Sequence, residues 1–241
     1  MPDTMRVLYI FPHPDDESFG PAPAIASQIR QGHEVFLLTY TRGGATRVRH
    51  KYGYTIEQMG NIRFEEMLDV AKVLNLTDMT VLDLPDSGLK ELDPLEIEKI
   101  TEQHVRSVEP DIVVTYAVHG ISGFHDHLVT HAIVKRVFCK LRREWDKAPR
   151  RLALFTLAPT ETAEGKFKLH TSTESEIDCA IPVSAEDIQK AAEALACYKT
   201  YQEVIRDAKV IERTGDTIFF EFFQESYNPH VNSISHELQD G

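Results

Sequence analysis

Across the first two thirds of the chain, short apolar runs alternate with longer segments whose apolar residues recur at helical spacing. Runs at Arg6–Phe11, Glu34–Tyr40, Thr80–Leu82, Asp111–Tyr116 and Leu152–Leu157 predict strands, and near-continuous apolar character is what a strand covered on both faces requires. The intervening segments predict helices over Phe19–Gln31, Ile56–Leu74 and Pro94–Val108, and from Asp126 onward. In the second, Ile62, Met67, Val70 and Leu74 fall near one face; in the fourth, Leu128, Ile133, Val134, Val137 and Leu141 do so. Pro21 and Pro23 fit only a first helical turn, Gly32 suits a C-terminal cap, and Pro110 stops the third helix. Strand–helix alternation of this kind signals βαβ units and a parallel sheet.

The last third changes character. Lys166–His170, Ile177–Ile181 and Thr217–Phe222 read as short strands around one helix over Ala185–Tyr201, with Ser184 as its N-cap and Asp187 at the third helical position. This portion is expected to extend the same domain in antiparallel fashion. The organisation is then a single domain over 1–241, with a core over 1–160 and a β/α extension and tail over 161–241. The polar stretch from Tyr227 to Gly241 is expected to be loose at its end.

Composition narrows the partners. The chain has 241 residues, 42% of them hydrophobic, which supports a sizeable core. Its formal charge of −12 argues against nonspecific nucleic-acid binding and against an anionic membrane surface. No run is long and apolar enough to cross a bilayer. Cys139, Cys179 and Cys197 are far apart, form no CxxC pair and read as small buried hydrophobes; with no apolar N-terminal signal segment, that usage points to a reducing cytoplasm. Basic residues cluster once, as Arg42, Arg47, Arg49 and Lys51 with His50. Following the second strand, this segment could serve as a lid whose charges accept a carboxylate or phosphate, or as a solvated loop paired with the chain's many acids.

Chemistry concentrates at two strand ends. His13-Pro14-Asp15-Asp16-Glu17 directly follows the first apolar run. The C-terminal edge of a parallel sheet is where ligands bind, and one imidazole with carboxylates suits a divalent metal taking mixed N/O ligands, zinc above all. The acids also favour the start of the following helix, which accounts for Asp16 or Glu17 singly but not for His13 and Pro14. The second constellation, Gly123-Phe124-His125-Asp126-His127 with His131, follows the fourth run. His127 and His131 share a helix face at i,i+4; His131 reads as a packed or hydrogen-bonded helix residue, whereas His127 opens the helix at the crevice.

These motifs resemble the LmbE/PIG-L family of metal-dependent N-deacetylases, from about Val7 to Gln202. Further echoes are Thr41-Arg42-Gly43, Arg63 and Glu66, Leu84-Pro85-Asp86-Ser87-Gly88-Leu89, and Tyr198-Lys199-Thr200-Tyr201-Gln202. The resemblance implies an α/β fold, a Rossmann-like mostly parallel sheet flanked by helices with a short antiparallel extension. It implies removal of acetyl groups from N-acetylglucosamine-type sugars or conjugates. It also implies His13, Asp16 and His127 as ligands to zinc, or to another divalent ion such as iron, Asp15 as general base, and Arg63 on the substrate side, with Arg42 a further substrate-binding candidate. A homo-oligomer is compatible with it. Two positions depart from the family pattern. Phe124 stands where a histidine usually stabilises the oxyanion, which leaves that role to His125 ahead of Arg63, and Gly44 stands where many members carry glutamate.

Amide hydrolysis needs an activated water, support for an oxyanion and a proton for the leaving amine. The expected division of labour is a metal held by His13, Asp16 and His127, proton transfer by Asp15, and His125 at the oxyanion. Two alternatives stand beside it. One is a metal-dependent amidase acting on another amide, such as a thiol-sugar conjugate. The other is a noncatalytic Rossmann-like ligand-binding protein, against which counts the lack of Gly-x-Gly-x-x-Gly after the first strand.

Overall fold

The computed structural model describes residues 4–159 and 169–238. Seven strands form one sheet in the order β3-β2-β1-β4-β5-β7-β6. Five are parallel: β1 (Arg6–Phe11), β2 (Glu34–Thr41), β3 (Asp78–Leu84), β4 (Ile112–Tyr116) and β5 (Arg151–Thr156). The remaining two, β6 (Cys179–Pro182) and β7 (Thr217–Phe222), extend the β5 edge in antiparallel register, Phe155 opposite Phe220 and Ile181 opposite Ile218. The fold is thus a mostly parallel α/β sheet with an antiparallel C-terminal part. Pro182 closes β6 on the sheet's outer edge, where a missing N–H costs no ladder bond.

Eight α-helices occur among the described residues: α1 (Ala22–Arg30), α2 (Arg49–Tyr52), α3 (Ile56–Leu74), α4 (Pro94–Val108), α5 (His125–Glu144), α6 (Ala185–Cys197), α7 (Gln202–Ala208) and α8 (Val210–Thr214). One face of the sheet is covered by α1, α3 and α6 around Tyr9, Phe11, Met67, Val70, Ala194 and Phe220. The other carries α4 and α5 over Leu8, Ile10, Val113, Val134 and Leu154. No helix among the described residues is long and apolar enough to cross a membrane.

Where elements depart from expectation, tertiary contacts explain the shift. The first helix begins at Ala22 rather than Phe19 because residues 15–21 fold as turns, with Ser18 and Phe19 both donating to the Asp15 carbonyl at 2.8 Å. Gly20, at φ +147°, lies against Phe155; a Cβ there would sit 2.4 Å from the ring. The α6 helix stops at Cys197, short of Tyr201, because Tyr198 turns inward and is buried below the first strand end. Its start is capped as expected: Ser184 and Asp187 form a reciprocal capping box. Residues 166–168 of the predicted strand at Lys166–His170 lie outside the described residues.

The topology creates one switch point. From β1 the chain crosses to β2 on one side, and β4 lies on the other, so the C-terminal ends of β1 and β4 border a crevice. His13 follows β1 and His127 lies in the first turn of the helix after β4.

Candidate metal centre

Residues 114 positions apart meet at that crevice. The rings of His13 and His127 are 5.3 Å apart between centroids. Asp16 sits between them, its Oδ2 3.5 Å from His13 Nδ1 and its Oδ1 3.4 Å from His127 Nε2. One ligand atom from each of the three lies within 4.8 Å of the others. Ligands about 2 Å from a tetrahedral ion are roughly 3.3 Å from one another, so the Asp16 contacts have the spacing of a shared cation.

The outer side of each ring is already engaged, and that decides which nitrogen faces Asp16. His127 Nδ1 donates to the Gly120 carbonyl at 2.9 Å, and the ring stacks on Tyr116 at 4.4 Å with 8° between planes. Burial holds this imidazole below its usual protonation range, opposed by Asp16. Its Nε2 is therefore a free lone pair. His13 Nε2 donates to Asp126 Oδ2 at 3.2 Å and lies 3.4 Å from Asp86 Oδ1, which leaves Nδ1 toward Asp16. Metal-bound histidines are ordinarily braced in this way through their second nitrogen.

A second group, His13 with Asp86 and Asp126, also has converging donors. Its carboxylates are occupied by backbone. Asp126 accepts from Ser87 N at 2.8 Å and Leu89 N at 3.3 Å, and Asp86 accepts from Ala45 N at 2.6 Å. These acids fasten the 43–46 and 86–89 loops to the crevice and orient His13. Sequence reading missed both as site residues. Asp126 was visible only as the neighbour of His127, and Asp86 only within a motif.

Electrostatics favour a cation. Burial opposes charge on His13, yet hydrogen bonds and proximity to Asp126, Asp16 and Asp86 raise its pKa to about 10. Asp16 is held below the usual carboxylate range: burial would raise it, but His127, His13 and a 2.8 Å hydrogen bond from Tyr116 Oη outweigh that. The surplus of carboxylates is met by a proton or a metal ion at the same place.

Asp15 stands beside this group without joining it. Its backbone is left-handed, φ 87°, fixed by donation from its N–H to Tyr198 Oη at 2.8 Å. Burial raises its carboxyl to about 7, opposed by Arg63 and reinforced by Asp16 and Glu17. Arg63 Nη2 donates to Asp15 Oδ2 at 2.6 Å, and Oδ1 has no hydrogen bond among the described residues. Glu17 lies deeper, accepting from Ser18 Oγ and Tyr198 Oη, with burial raising its pKa.

The structure puts the other expected residues in different settings. Arg63 is 2% exposed. Instead of facing an open crevice, its guanidinium donates to the Pro14 and Gly43 carbonyls and stacks on Tyr201 at 4.1 Å. Arg42 is tied to α3, donating to Asn61 at 2.7 Å and packing over Phe64. His125 is exposed at the start of α5, and its side chain makes no hydrogen bond among the described residues. Phe124 is 58% exposed and meets the His127 ring edge-on at 5.7 Å. His131 donates from Nδ1 to the Tyr116 carbonyl at 2.8 Å, the packed role expected of it.

Comparison with known proteins places this arrangement. The family model of GlcNAc-PI de-N-acetylases, PIG-L, matches residues 8–138, from β1 into α5. A 1D-myo-inositol 2-acetamido-2-deoxy-alpha-D-glucopyranoside deacetylase of Thermomonospora curvata is 28% identical over 158 residues, 56% of this chain and 53% of the relative. A mycothiol S-conjugate amidase of Streptomyces coelicolor is 28% identical over 156 residues, 57% of this chain and 53% of the relative. The chain thus spans about half the length of these curated relatives. Among solved structures, an N,N'-diacetylchitobiose deacetylase from Pyrococcus horikoshii superposes with a TM-score of 0.65 at 17% identity, covering 92% of this chain and 84% of the other. A 4-carboxy-2-hydroxymuconate hydratase from Pseudomonas putida does so with 0.67 at 14%, covering 92% and 97%. The structural likenesses establish the fold; the family match, over more than half of the sequence and both motif segments, makes this chain a member of the PIG-L (GlcNAc-PI de-N-acetylase) family.

Proposed function

We propose that the chain is a zinc-dependent hydrolase that removes the N-acetyl group from an N-acetylglucosamine-type sugar or conjugate. The observation that carries this reading is the convergence of His13 Nδ1, Asp16 and His127 Nε2 around one position, with Asp15 alongside and outside the set. The relatives named for deacetylation of a 2-acetamido sugar support the substrate class.

His13, Asp16 and His127 would hold the metal, which when bound supplies Lewis-acid charge and lowers the pKa of a water to about 7. Asp15 takes a proton from the attacking water through its free Oδ1, since Oδ2 is committed to Arg63. The same carboxyl then returns the proton to the departing nitrogen, so that acetate and a free amine leave. Arg63 holds Asp15 in place and has no exposed surface to offer substrate. His125, exposed two residues before His127, would donate to the oxyanion.

A second reading is favoured by the likeness to the S-conjugate amidase: the same groups cleaving a larger amide. Likeness in fold to a hydratase means that the reaction rests on the site and not on the sheet. The deciding experiment is metal content of protein purified without chelator, followed by amine and acetate release from N-acetylglucosamine glycosides and from a thiol-sugar amide. Acetate with bound zinc supports deacetylation. Amine without acetate moves the assignment to the amidase, and neither product with zinc bound removes both.

A further inference from the structure

The four cations clustered after β2 have different fates. Lys51 Nζ pairs with Glu203 at 2.5 Å, and Arg42 is held by Asn61 and lies 3.7 Å from Asp83. Both are accounted for as a loop neutralised by the chain's own acids. Arg47 and Arg49 are not: neither guanidinium makes a hydrogen bond or ion pair among the described residues, and only their backbones are bonded, for example Arg49 N to the Thr46 carbonyl and the Arg47 carbonyl to His50 N. Arg47 is exposed. The Nε of Arg49 is buried and unpartnered. Arg6, Arg42 and Arg63 also have an unpartnered Nε, but each of those guanidinium groups has a carboxylate within 3.7 Å. Two bare guanidinium groups are unexpected in a chain with 38 acidic residues against 26 basic ones.

Their place in the fold is fixed by the residues before them. Ala45 N donates to Asp86, whose other oxygen lies 3.4 Å from His13, and Thr46 Oγ1 is 2.9 Å from Tyr201 Oη. Arg47 follows Thr46 at one peptide's length, about 3.8 Å between Cα atoms. Arg49 opens α2, whose far end is tied down by Lys51 to Glu203. The segment that carries the two arginines is therefore pinned next to the crevice, whose carboxylates Asp15, Asp16, Asp86 and Asp126 repel an anion.

We propose that Arg47 and Arg49 form a binding site for an anionic group, a carboxylate or phosphate, carried by the sugar conjugate; this rests on the reading that the crevice hydrolyses an N-acylated sugar. Guanidinium forks match the planar or tetrahedral oxygens of such groups with paired, charge-assisted hydrogen bonds. Placed next to the crevice, they offset the carboxylates' repulsion and select conjugates by charge, while the metal position handles the amide.

The test compares zinc-loaded wild type with R47Q/R49Q. Turnover is measured on N-acetylglucosamine 1-phosphate, a carboxymethyl N-acetylglucosaminide and the methyl N-acetylglucosaminide. Wild type should favour one or both charged substrates over the methyl glycoside by about tenfold or more in kcat/KM. That preference should fall with added salt, and the ratio should collapse toward one in the double variant. The phosphate and carboxymethyl arms show which anion is read. Calorimetry with glucosamine 1-phosphate and methyl glucosaminide gives a readout independent of hydrolysis. If no N-acetyl sugar is cleaved, the deacetylase reading fails, yet tighter phosphate binding lost in R47Q/R49Q still supports the anion site. Equal affinity for charged and neutral ligands in wild type, or a ratio unchanged in the double variant, overturns it.

Discussion

The Nδ1 of His127 donates to the carbonyl of Gly120, seven residues earlier, and this single bond turns Nε2 onto Asp16. The carbonyl is presented by a turn with positive φ at Gly120 (+60°), Ile121 (+56°) and Gly123 (+70°). A β-branched residue in that region is strained and persists only when its surroundings hold it. Here Ile121 N donates to His119 Nδ1 at 3.0 Å, and the Ile121 carbonyl accepts from His170 N at 2.8 Å. A Cβ on Gly120 would lie 2.8 Å from that of His127. Gly120→Ala should therefore weaken zinc affinity on the order of 10- to 100-fold, the usual cost of a lost outer partner. Competition titration against a chelator measures it, and unchanged affinity would show that the carbonyl does not orient the ring.

Asp15 and Arg63 are a buried pair with separable roles. If Asp15 carries the proton as proposed, Asp15→Asn should leave zinc content unchanged and lower turnover roughly 10²–10⁴-fold. Arg63→Ala leaves a buried carboxylate without its cation, a change that commonly destabilises by about 3–5 kcal/mol. Thermal unfolding should thus separate the two variants, with Arg63→Ala melting well below Asp15→Asn. Near wild-type turnover in zinc-loaded Asp15→Asn would remove Asp15 from the chemistry.

His125→Ala tests the oxyanion assignment. An exposed side chain with no partner among the described residues has little structural role to lose, so folding and zinc content should be unchanged. Loss of a positioned donor costs roughly 10²–10³ in kcat, with KM little altered. An unaffected kcat removes His125 and leaves the developing charge to the metal.

Much of this arrangement was readable beforehand because it is local. The apolar runs gave every parallel strand to within a few residues, and a strand ending in His-Pro-Asp-Asp-Glu announces chemistry at the sheet edge. What stayed hidden depends on contacts between distant segments. Asp86 and Asp126 look like ordinary surface acids until the 86–89 loop folds over His13. Arg63 looks substrate-facing until Tyr201 and the Gly43 carbonyl cover it. The basic segment reads as four equivalent charges, and only the fold shows two neutralised and two free. The short α2, α7 and α8 carry too few residues for a periodic pattern to register.

Two buried histidines outside the site set an acid limit on stability. Burial lowers the pKa of His33, whose Nδ1 accepts from Met5 N at 3.2 Å, a bond the protonated ring cannot make. Burial lowers His131 likewise. Both depressed values mean that the unfolded chain takes up protons near pH 6.5 that the folded chain refuses. Their contribution is present above pH 6.5 and is lost as pH falls below it, at up to about 1.4 kcal/mol per pH unit for each proton. In metal-free protein His13, raised to about 10, acts oppositely above pH 6.5, so the measurement is differential. Urea unfolding of wild type and His33→Gln between pH 7.5 and 5 should show a shallower acid decline in the variant. Parallel curves would exclude His33.

Tyr198 lies 60 residues beyond the end of the family match, at 138, yet its hydroxyl lies under the loop that carries Asp15 and Asp16. It accepts from Asp15 N at 2.8 Å and donates to Glu17 Oε1 at 2.7 Å, both partners buried. The inward turn that ends α6 exists to deliver this group, and neighbouring contacts repeat the theme: Thr200 donates twice to Glu66, and Tyr201 covers Arg63. Tyr198→Phe keeps the ring and deletes the oxygen, leaving the buried Asp15 N–H without its partner and Glu17 Oε1 with Ser18 Oγ alone. An unsatisfied buried group costs about 1–3 kcal/mol, so the variant should unfold at clearly lower urea. The left-handed backbone at Asp15 also loses its fixing bond, and kcat should fall while zinc affinity holds, because His13, Asp16 and His127 keep their own supports. If Tyr198→Phe lost zinc as readily as Gly120→Ala, the proton carrier and the metal position would not be held independently, and the division of roles drawn here would fail.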